Sequence, residues 1–177
     1  MLSKPATMLL GIISNESINP YGIIKKLDLM NTKFWFYIGN STVYITLKNL
    51  EKSNYILGTK EKSGNMPDKT VYTITPLGLE KLKDTIRQIC CRFDYDTTLF
   101  SIAATFINIF ETDEIETMLA ERLKYLQHYF EGINKEIIKF NERNIPPYAI
   151  ANTKRMKEIV KAEIIGVEEI LKSVETI

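Results

Sequence analysis

Cysteine, histidine and tryptophan are scarce in this chain of 177 residues, which contains two cysteines, one histidine and one tryptophan. The cysteines, Cys90 and Cys91, are neighbours, and adjacent cysteines rarely form a disulfide bond. Two thiols and the imidazole of His128 are too few ligands for a structural zinc site, so we expect no metal and no cofactor. The sequence also has no Gly-rich phosphate loop and no nucleophile elbow, which argues against an enzyme.

Long apolar runs are missing as well. No segment approaches 18 uncharged apolar residues, so we expect no transmembrane helix and no membrane partner. The first residues do not have the long apolar region and the small-residue cleavage site of a signal peptide. Reduced thiols and the lack of an export signal together predict a cytoplasmic protein.

The net charge is only +1, which at first argues against a nucleic-acid-binding protein, because such domains are usually basic. The average hides an uneven distribution. Residues 1–90 contain 12 Lys and Arg against 7 Asp and Glu, a net charge of +5, whereas residues 91–177 contain 11 against 15, a net charge of −4. Phosphate binding requires local cations, so the basic half remains compatible with nucleic acid.

Three helices are predicted in the first fifty residues. Apolar spacing predicts the first over residues 5–14. Asn19 and Pro20 begin the second, because Asn caps a helix well and Pro loses no needed donor at the first helical position. The third begins near residues 40–42, with an inward face of Val43, Leu47 and Leu50. Its outward face is expected to present Thr42, Ile45, Thr46, Lys48 and Asn49.

A β-hairpin follows these helices. Residues 55–57 and 71–75 are rich in β-branched and aromatic side chains and are predicted to be strands, with a long charged tip between them over residues 58–69. A fourth helix begins at Pro76. The order of three helices, a hairpin and a helix is that of a winged helix-turn-helix, so the fold class is mainly α with a β-hairpin wing. We assign residues 1–92 to this domain.

The remaining residues, 93–177, are predicted to form a helical, coiled-coil-like dimerisation domain. An apolar helix over residues 99–110 precedes two long helices, the first of which opens at Thr112 and stops near Asn144. Apolar residues recur in both long helices at the seven-residue period of a coiled coil. A hairpin of two such helices leaves one apolar face uncovered, which we expect a second copy to cover. The predicted dimerisation residues are Leu119, Leu123, Leu126, Phe130, Ile133, Ile137, Phe140, Val160, Ile164, Val167, Leu171 and Val174.

Several stretches of the N-terminal half carry a family resemblance. They are Tyr21-Gly22-Ile23-Ile24-Lys25, Ser41-Thr42-Val43-Tyr44-Ile45-Thr46-Leu47-Lys48-Asn49-Leu50-Glu51-Lys52 and Lys69-Thr70-Val71-Tyr72-Thr73-Ile74-Thr75, with Gly78 three residues on. In order and spacing they resemble PadR-type transcriptional regulators, and the C-terminal hairpin looks like the dimerisation region of that family's longer subgroup. The chain departs from the family pattern at Ile45, where the family usually has Pro, and at Asn54, where it usually has Gly.

The resemblance implies that the third helix and the wing contact DNA. The hydroxyls of Ser41 and Thr42 suit phosphate or base-edge contacts, with helix capping as the alternative. Tyr21 and Tyr44 are expected to touch DNA by resemblance, although Tyr44 also has the spacing for core packing. The expected DNA-binding residues are Tyr21, Asn40, Ser41, Thr42, Tyr44, Thr46, Lys48, Asn49, Lys60, Lys62 and Lys69.

The resulting hypothesis is a homodimeric transcriptional repressor that binds a pseudo-palindromic operator in double-stranded DNA. By resemblance a small aromatic or drug-like effector would release it, but the sequence assigns no ligand-binding residues. The aromatic residues of the second half either line a pocket or only pack the dimer. Two alternatives stay open, a scaffold that binds a protein partner and a thiol-based redox sensor that uses Cys90 and Cys91.

Overall fold

The computed structural model describes residues 1–63, 66–92, 94, 96–140 and 145–174, with all side chains except those of residues 34, 62, 63 and 66–68. The chain divides into two compact units. The first comprises Met1–Gln88 and Thr98–Ile109, and the second comprises Ile89–Thr97 and the chain from Phe110 onward. The domain boundary expected after residue 92 remains a prediction.

The first unit has the predicted order of three helices, a hairpin and a helix, followed by one further helix. Its elements are α1 (Lys4–Asn15), α2 (Pro20–Leu29), a 3-10 turn (Thr32–Phe34), α3 (Asn40–Lys52), β1 (Ile56–Ser63), β2 (Met66–Ile74), α4 (Pro76–Cys90), α5 (Thr98–Thr105) and a second 3-10 turn (Ile107–Ile109). The last two residues of α4, Ile89 and Cys90, belong to the second unit. This arrangement confirms a mainly helical fold with a β-hairpin wing.

Helix α1 is the centre of this unit, because the side chains of Met8, Leu9 and Leu10 are fully buried. The start of α2 agrees with its capping signal, since Asn19 Oδ1 accepts a hydrogen bond from the Gly22 N–H at 2.8 Å and Pro20 is the first helical residue. A side-chain oxygen at this position satisfies one of the backbone donors that the helix itself leaves without a partner.

The hairpin differs from its prediction, because the strands continue through most of the segment that was expected to be a charged tip. The antiparallel register runs from the Ile56–Ile74 pair out to the Ser63–Met66 pair, with an irregularity between Glu61 and Ser63. Backbone hydrogen bonds hold this part of the ladder, and they do not require the apolar side chains on which the prediction depended. Residues 64 and 65 lie outside the described part of the chain.

The wing is joined to the start of the second helix by an isolated β-bridge. The Ile18 N–H donates to the Tyr72 carbonyl at 3.0 Å, and the Tyr72 N–H donates to the Ile18 carbonyl at 2.9 Å. The hydroxyls of Ser17 and Thr73 are also hydrogen-bonded, at 2.8 Å. The hairpin is therefore fixed beside the residues that precede α2.

The apolar helix expected over residues 99–110 is also shorter than predicted. It ends at Thr105, and the ring of Phe106 turns inward against α1. A Cβ atom at Gly11 would lie 2.4 Å from Cδ2 of this ring, so the contact depends on the glycine. The change from α-helix to 3-10 turn falls at this inward-facing residue.

The second unit is built on α6 (Thr112–Phe140) and α7 (Pro147–Val174). These two helices pack antiparallel, because Arg122 meets Glu163 while Phe130, about two turns later, meets Lys157. The start of α6 agrees with the prediction, and the predicted stop at Asn144 lies outside the described residues. None of the described helices is long and apolar enough to cross a membrane.

Candidate nucleic-acid interface

The outward face of α3 presents most of the residues predicted to contact DNA. The exposed side chains are those of Asn40, Ser41, Thr42, Tyr44, Lys48 and Asn49. Thr46 does not lie on the outward face as predicted, since it is only 9% exposed. Residues 43, 46, 47 and 50 together form the buried stripe, which is wider than the three apolar residues alone indicated. Thr46 therefore faces the core, and its expected contact with DNA remains a prediction.

The N-terminus of α3 is capped by Gly39, and no side chain makes a capping hydrogen bond there. The polar side chains of Asn40, Ser41 and Thr42 lie just inside the helix and are exposed. The alternative that Ser41 and Thr42 serve only as caps receives no support from this geometry. A helix N-terminus without a side-chain capping hydrogen bond and with exposed hydroxyls suits an anionic partner, because its backbone N–H groups and dipole favour negative charge.

A groove of about 220 Å³ lies between the start of α2, helix α3 and the wing. It brings together Tyr21, Tyr44 and Lys69, which come from three different elements. Tyr21 is 75% exposed and Tyr44 is 54% exposed, so neither ring is part of the core. Two phenol hydroxyls and an ammonium group around one groove are the donors that a phosphate group requires.

The lysines of the wing do not form one patch. Residues that pair directly across antiparallel strands share a face of the hairpin. Lys60 pairs with Thr70, and Lys69 pairs with Glu61, so Lys60 and Lys69 project from opposite faces. Lys69 faces a carboxylate across the strands and also lines the groove. The side chain of Lys62 lies outside the described part of the structure.

The predicted dimerisation residues fall into two groups. Leu119, Leu126, Val160, Val167 and Val174, on α6 and α7, are buried within the single chain. The others are half-buried and are Leu123, Phe130, Ile133, Ile137, Phe140, Ile164 and Leu171. The first group is thus buried without a second copy, and any contact with another chain falls to the second group.

The second unit contains a buried arginine, Arg122, that was not predicted from the sequence. Arg122 is 1% exposed, and its guanidinium donates to Glu163 Oε2 at 2.9 Å and to the Ile89 carbonyl at 3.2 Å, and also to the Arg92 carbonyl. It joins α6, α7 and the end of α4. The local sequence gave no signal for it, because Arg122 directly precedes Leu123, at a heptad position that usually carries a charged side chain.

Cys90 belongs to the same region and is fully buried. Burial raises the pKa of its thiol to about 12, although the nearby Arg122 charge opposes this increase. Because the thiolate is the reactive form, a thiol with such a pKa reacts poorly at neutral pH. The geometry therefore gives no support to a redox sensor based on Cys90. Among the described residues, no group of three or more potential ligands could hold a metal ion.

Three helices with a wing placed beside the third are the features of the winged helix-turn-helix class. Residues 9–84 match the model of the transcriptional regulator PadR-like family. The match covers 76 of the 177 residues and runs from α1 through the wing into α4, so this part of the chain is similar to the PadR-like transcriptional regulators.

Three solved structures illustrate the likeness. PadR of Bacillus subtilis in complex with operator DNA is 20% identical, with a TM-score of 0.43 over 96% of this chain and 98% of that chain. PadR of Bacillus subtilis in complex with p-coumaric acid is 19% identical, with a TM-score of 0.40 over 98% and 99%. A PadR-like regulator from Bacillus cereus is 24% identical, with a TM-score of 0.40 over 58% and 86%. A search of curated proteins finds no match.

Proposed function

We propose that this chain is a DNA-binding transcriptional repressor that acts as a homodimer in the cytoplasm. The observation that carries the proposal is the groove that unites Tyr21, Tyr44 and Lys69 beside the exposed face of α3. The groove supplies donors for a backbone phosphate, and the adjacent helix supplies polar side chains for base edges. Protein–DNA interfaces typically combine phosphate contacts, which position the protein, with contacts to base edges, which recognise the sequence.

The charge distribution supports the same function. Lys48 and Lys69 are exposed and belong to the half of the chain whose net charge is +5, on residues 1–90. Lysines that neutralise phosphates release counterions, and this release makes the affinity for DNA fall as the salt concentration rises. The acidic half, in contrast, contains the heptad helices and is unsuited to phosphate contact.

The test is a gel-retardation experiment with the DNA upstream of the chain's own gene, followed by a salt titration. We expect salt-sensitive retardation by the wild-type chain. Changing Lys48 or Lys69 to Ala should weaken binding to all sequences and reduce the salt slope by about one for each phosphate that is no longer neutralised. Lys161→Ala, which removes an exposed lysine of α7, is the matched control and should leave the slope unchanged.

The result that would contradict this proposal is the absence of salt-sensitive retardation for the wild-type chain. That outcome would favour a protein partner for the winged helix. If the wild-type chain binds DNA but Lys48→Ala and Lys69→Ala both keep its salt slope, DNA binding stands and the assigned phosphate contacts are wrong.

The dimer is proposed because the two long helices leave apolar surface without cover. The half-buried residues of the second heptad group extend along both helices, and Ile165 of α7 is 52% exposed. A second copy would bury this row and set the spacing of two winged helices, which matches a pseudo-palindromic operator. We expect light scattering of the full chain at micromolar concentration to give the mass of a dimer, and a monomer mass would contradict the proposal.

Release by a small molecule is the remaining part of the proposal. A groove of about 350 Å³ between helices α6 and α7 is lined by Ile137, Lys154, Arg155, Lys157 and Glu158. The ammonium of Lys157 lies 5.2 Å from the centre of the Phe130 ring. Cations beside apolar side chains are suited to a small molecule with a carboxylate and a hydrophobic body. Such an effector would act by favouring the dimer geometry that does not match the operator.

A further inference from the structure

The most outward ridge of α3 contains one aliphatic residue among polar neighbours. Ser41, Ile45, Lys48 and Lys52 are spaced at i, i+4, i+7 and i+11, opposite the buried stripe, and all four are exposed. The side chain of Ile45 is 61% exposed. The structure describes all of Asn40–Lys52, and Ile45 is the only aliphatic residue among its exposed positions.

A single exposed isoleucine elsewhere on a protein needs no explanation, but this position is special. The ridge opposite the buried stripe is the part of a helix that enters a groove most deeply. Ile45 lies at its middle, one turn after Ser41 and just before Lys48 and Asn49. Its branched Cβ also leaves a single strongly preferred rotamer in a helix, so its methyl groups project in a fixed direction.

We propose that Ile45 is a specificity-determining residue that recognises the methyl group of a thymine in the major groove. The inference rests on the proposed DNA-binding function and deepens it. In the major groove the other base edges present hydrogen-bond donors and acceptors, whereas thymine adds the C5-methyl group, which an apolar side chain contacts favourably. Ser41, Lys48 and Asn49 flank Ile45 with hydrogen-bonding groups, so the thymine lies within a short segment that polar contacts also read.

The test uses the full-length chain and a preferred duplex obtained by selection from random sequences. Each thymine of that duplex is then replaced, one at a time, by uracil, which removes only the methyl group. For the wild-type chain we expect one position in each half-site at which uracil weakens binding roughly fourfold, the value expected for one methyl group removed from an apolar contact. Ile45→Ala should abolish this difference, and Ile45→Val should keep most of it.

Leu77→Ala is the matched control, because Leu77 is an aliphatic residue of α4 that is 51% exposed. It should preserve the thymine preference. A uracil effect that persists unchanged in Ile45→Ala, or the absence of any uracil effect in the wild-type chain, would overturn this inference and leave DNA binding intact. If the wild-type chain selects no duplex at all, the proposed function itself fails, so the two failures are distinguishable.

Discussion

Replacement of Arg122 by alanine is expected to lower the free energy of unfolding by about 3–5 kcal/mol, because it breaks a buried ion pair from one side. The guanidinium is 1% exposed, and the Glu163 side chain is 15% exposed. Without Arg122, the Glu163 carboxylate would stay largely buried and without its cation, and the carbonyls of Ile89 and Arg92 would lose the donor that Arg122 supplies. Urea unfolding of the full chain measures the decrease in stability.

Two further variants separate the ion pair from general damage. Arg155→Ala removes an exposed arginine of α7 and should change the stability by less than about 0.5 kcal/mol. The double variant Arg122→Met with Glu163→Leu should recover most of the stability, because apolar residues of similar volume often replace a buried ion pair at no cost. If Arg122→Ala lowers the free energy of unfolding by less than about 1 kcal/mol, the buried pair contributes less to stability than its geometry indicates.

Gly78→Ala is the second change with a large expected effect. A Cβ atom at Gly78 would lie 2.0 Å from the carbonyl oxygen of Tyr55, a backbone atom that no change of rotamer can remove. The start of α4 is also tied to this segment, since the Thr75 hydroxyl accepts from the Gly78 N–H at 3.0 Å and donates to the Asn54 carbonyl at 2.7 Å. The backbone that leads into the wing must therefore shift.

We expect this shift to cost about 3 kcal/mol, the upper part of the usual range for overpacking. Thermal or urea unfolding of the full chain would measure it. The matched control is Gly132→Ala on α6, where a Cβ atom meets nothing within 4 Å. It should stabilise the protein by about 0.5–1 kcal/mol, because alanine is the better helix former. The same substitution should thus have opposite signs at the two positions, and equal effects would contradict the explanation.

The features that could be predicted from the sequence are those encoded along a single element. The Asn19–Pro20 pair marked the start of α2, and the seven-residue period marked the two long helices, because capping and helical periodicity depend on neighbours within a few residues. The spacing of Tyr21, Tyr44 and Lys69 was recognised only through the family pattern. Nothing in their local sequence indicates that one groove brings them together.

The width of the buried stripe of α3 could not be predicted from the sequence, as Thr46 shows. Its position on α3 borders both the polar and the apolar face, and only the packing of neighbouring elements determined that it is buried at 9% exposure. The length of the wing strands could not be predicted either, because a ladder of backbone hydrogen bonds extends them through residues whose side chains indicated a loop.

The sequence by itself determined the order of the elements, the helical period and the division into a basic and an acidic half. Only the tertiary structure decided which of the heptad residues are buried within the single chain. It also decided that Arg122 meets Glu163 across 41 residues of sequence and the end of α4 across about thirty. The physical reason is that propensities and caps act within a few residues, whereas burial and ion pairing depend on which surfaces meet once the helices have packed.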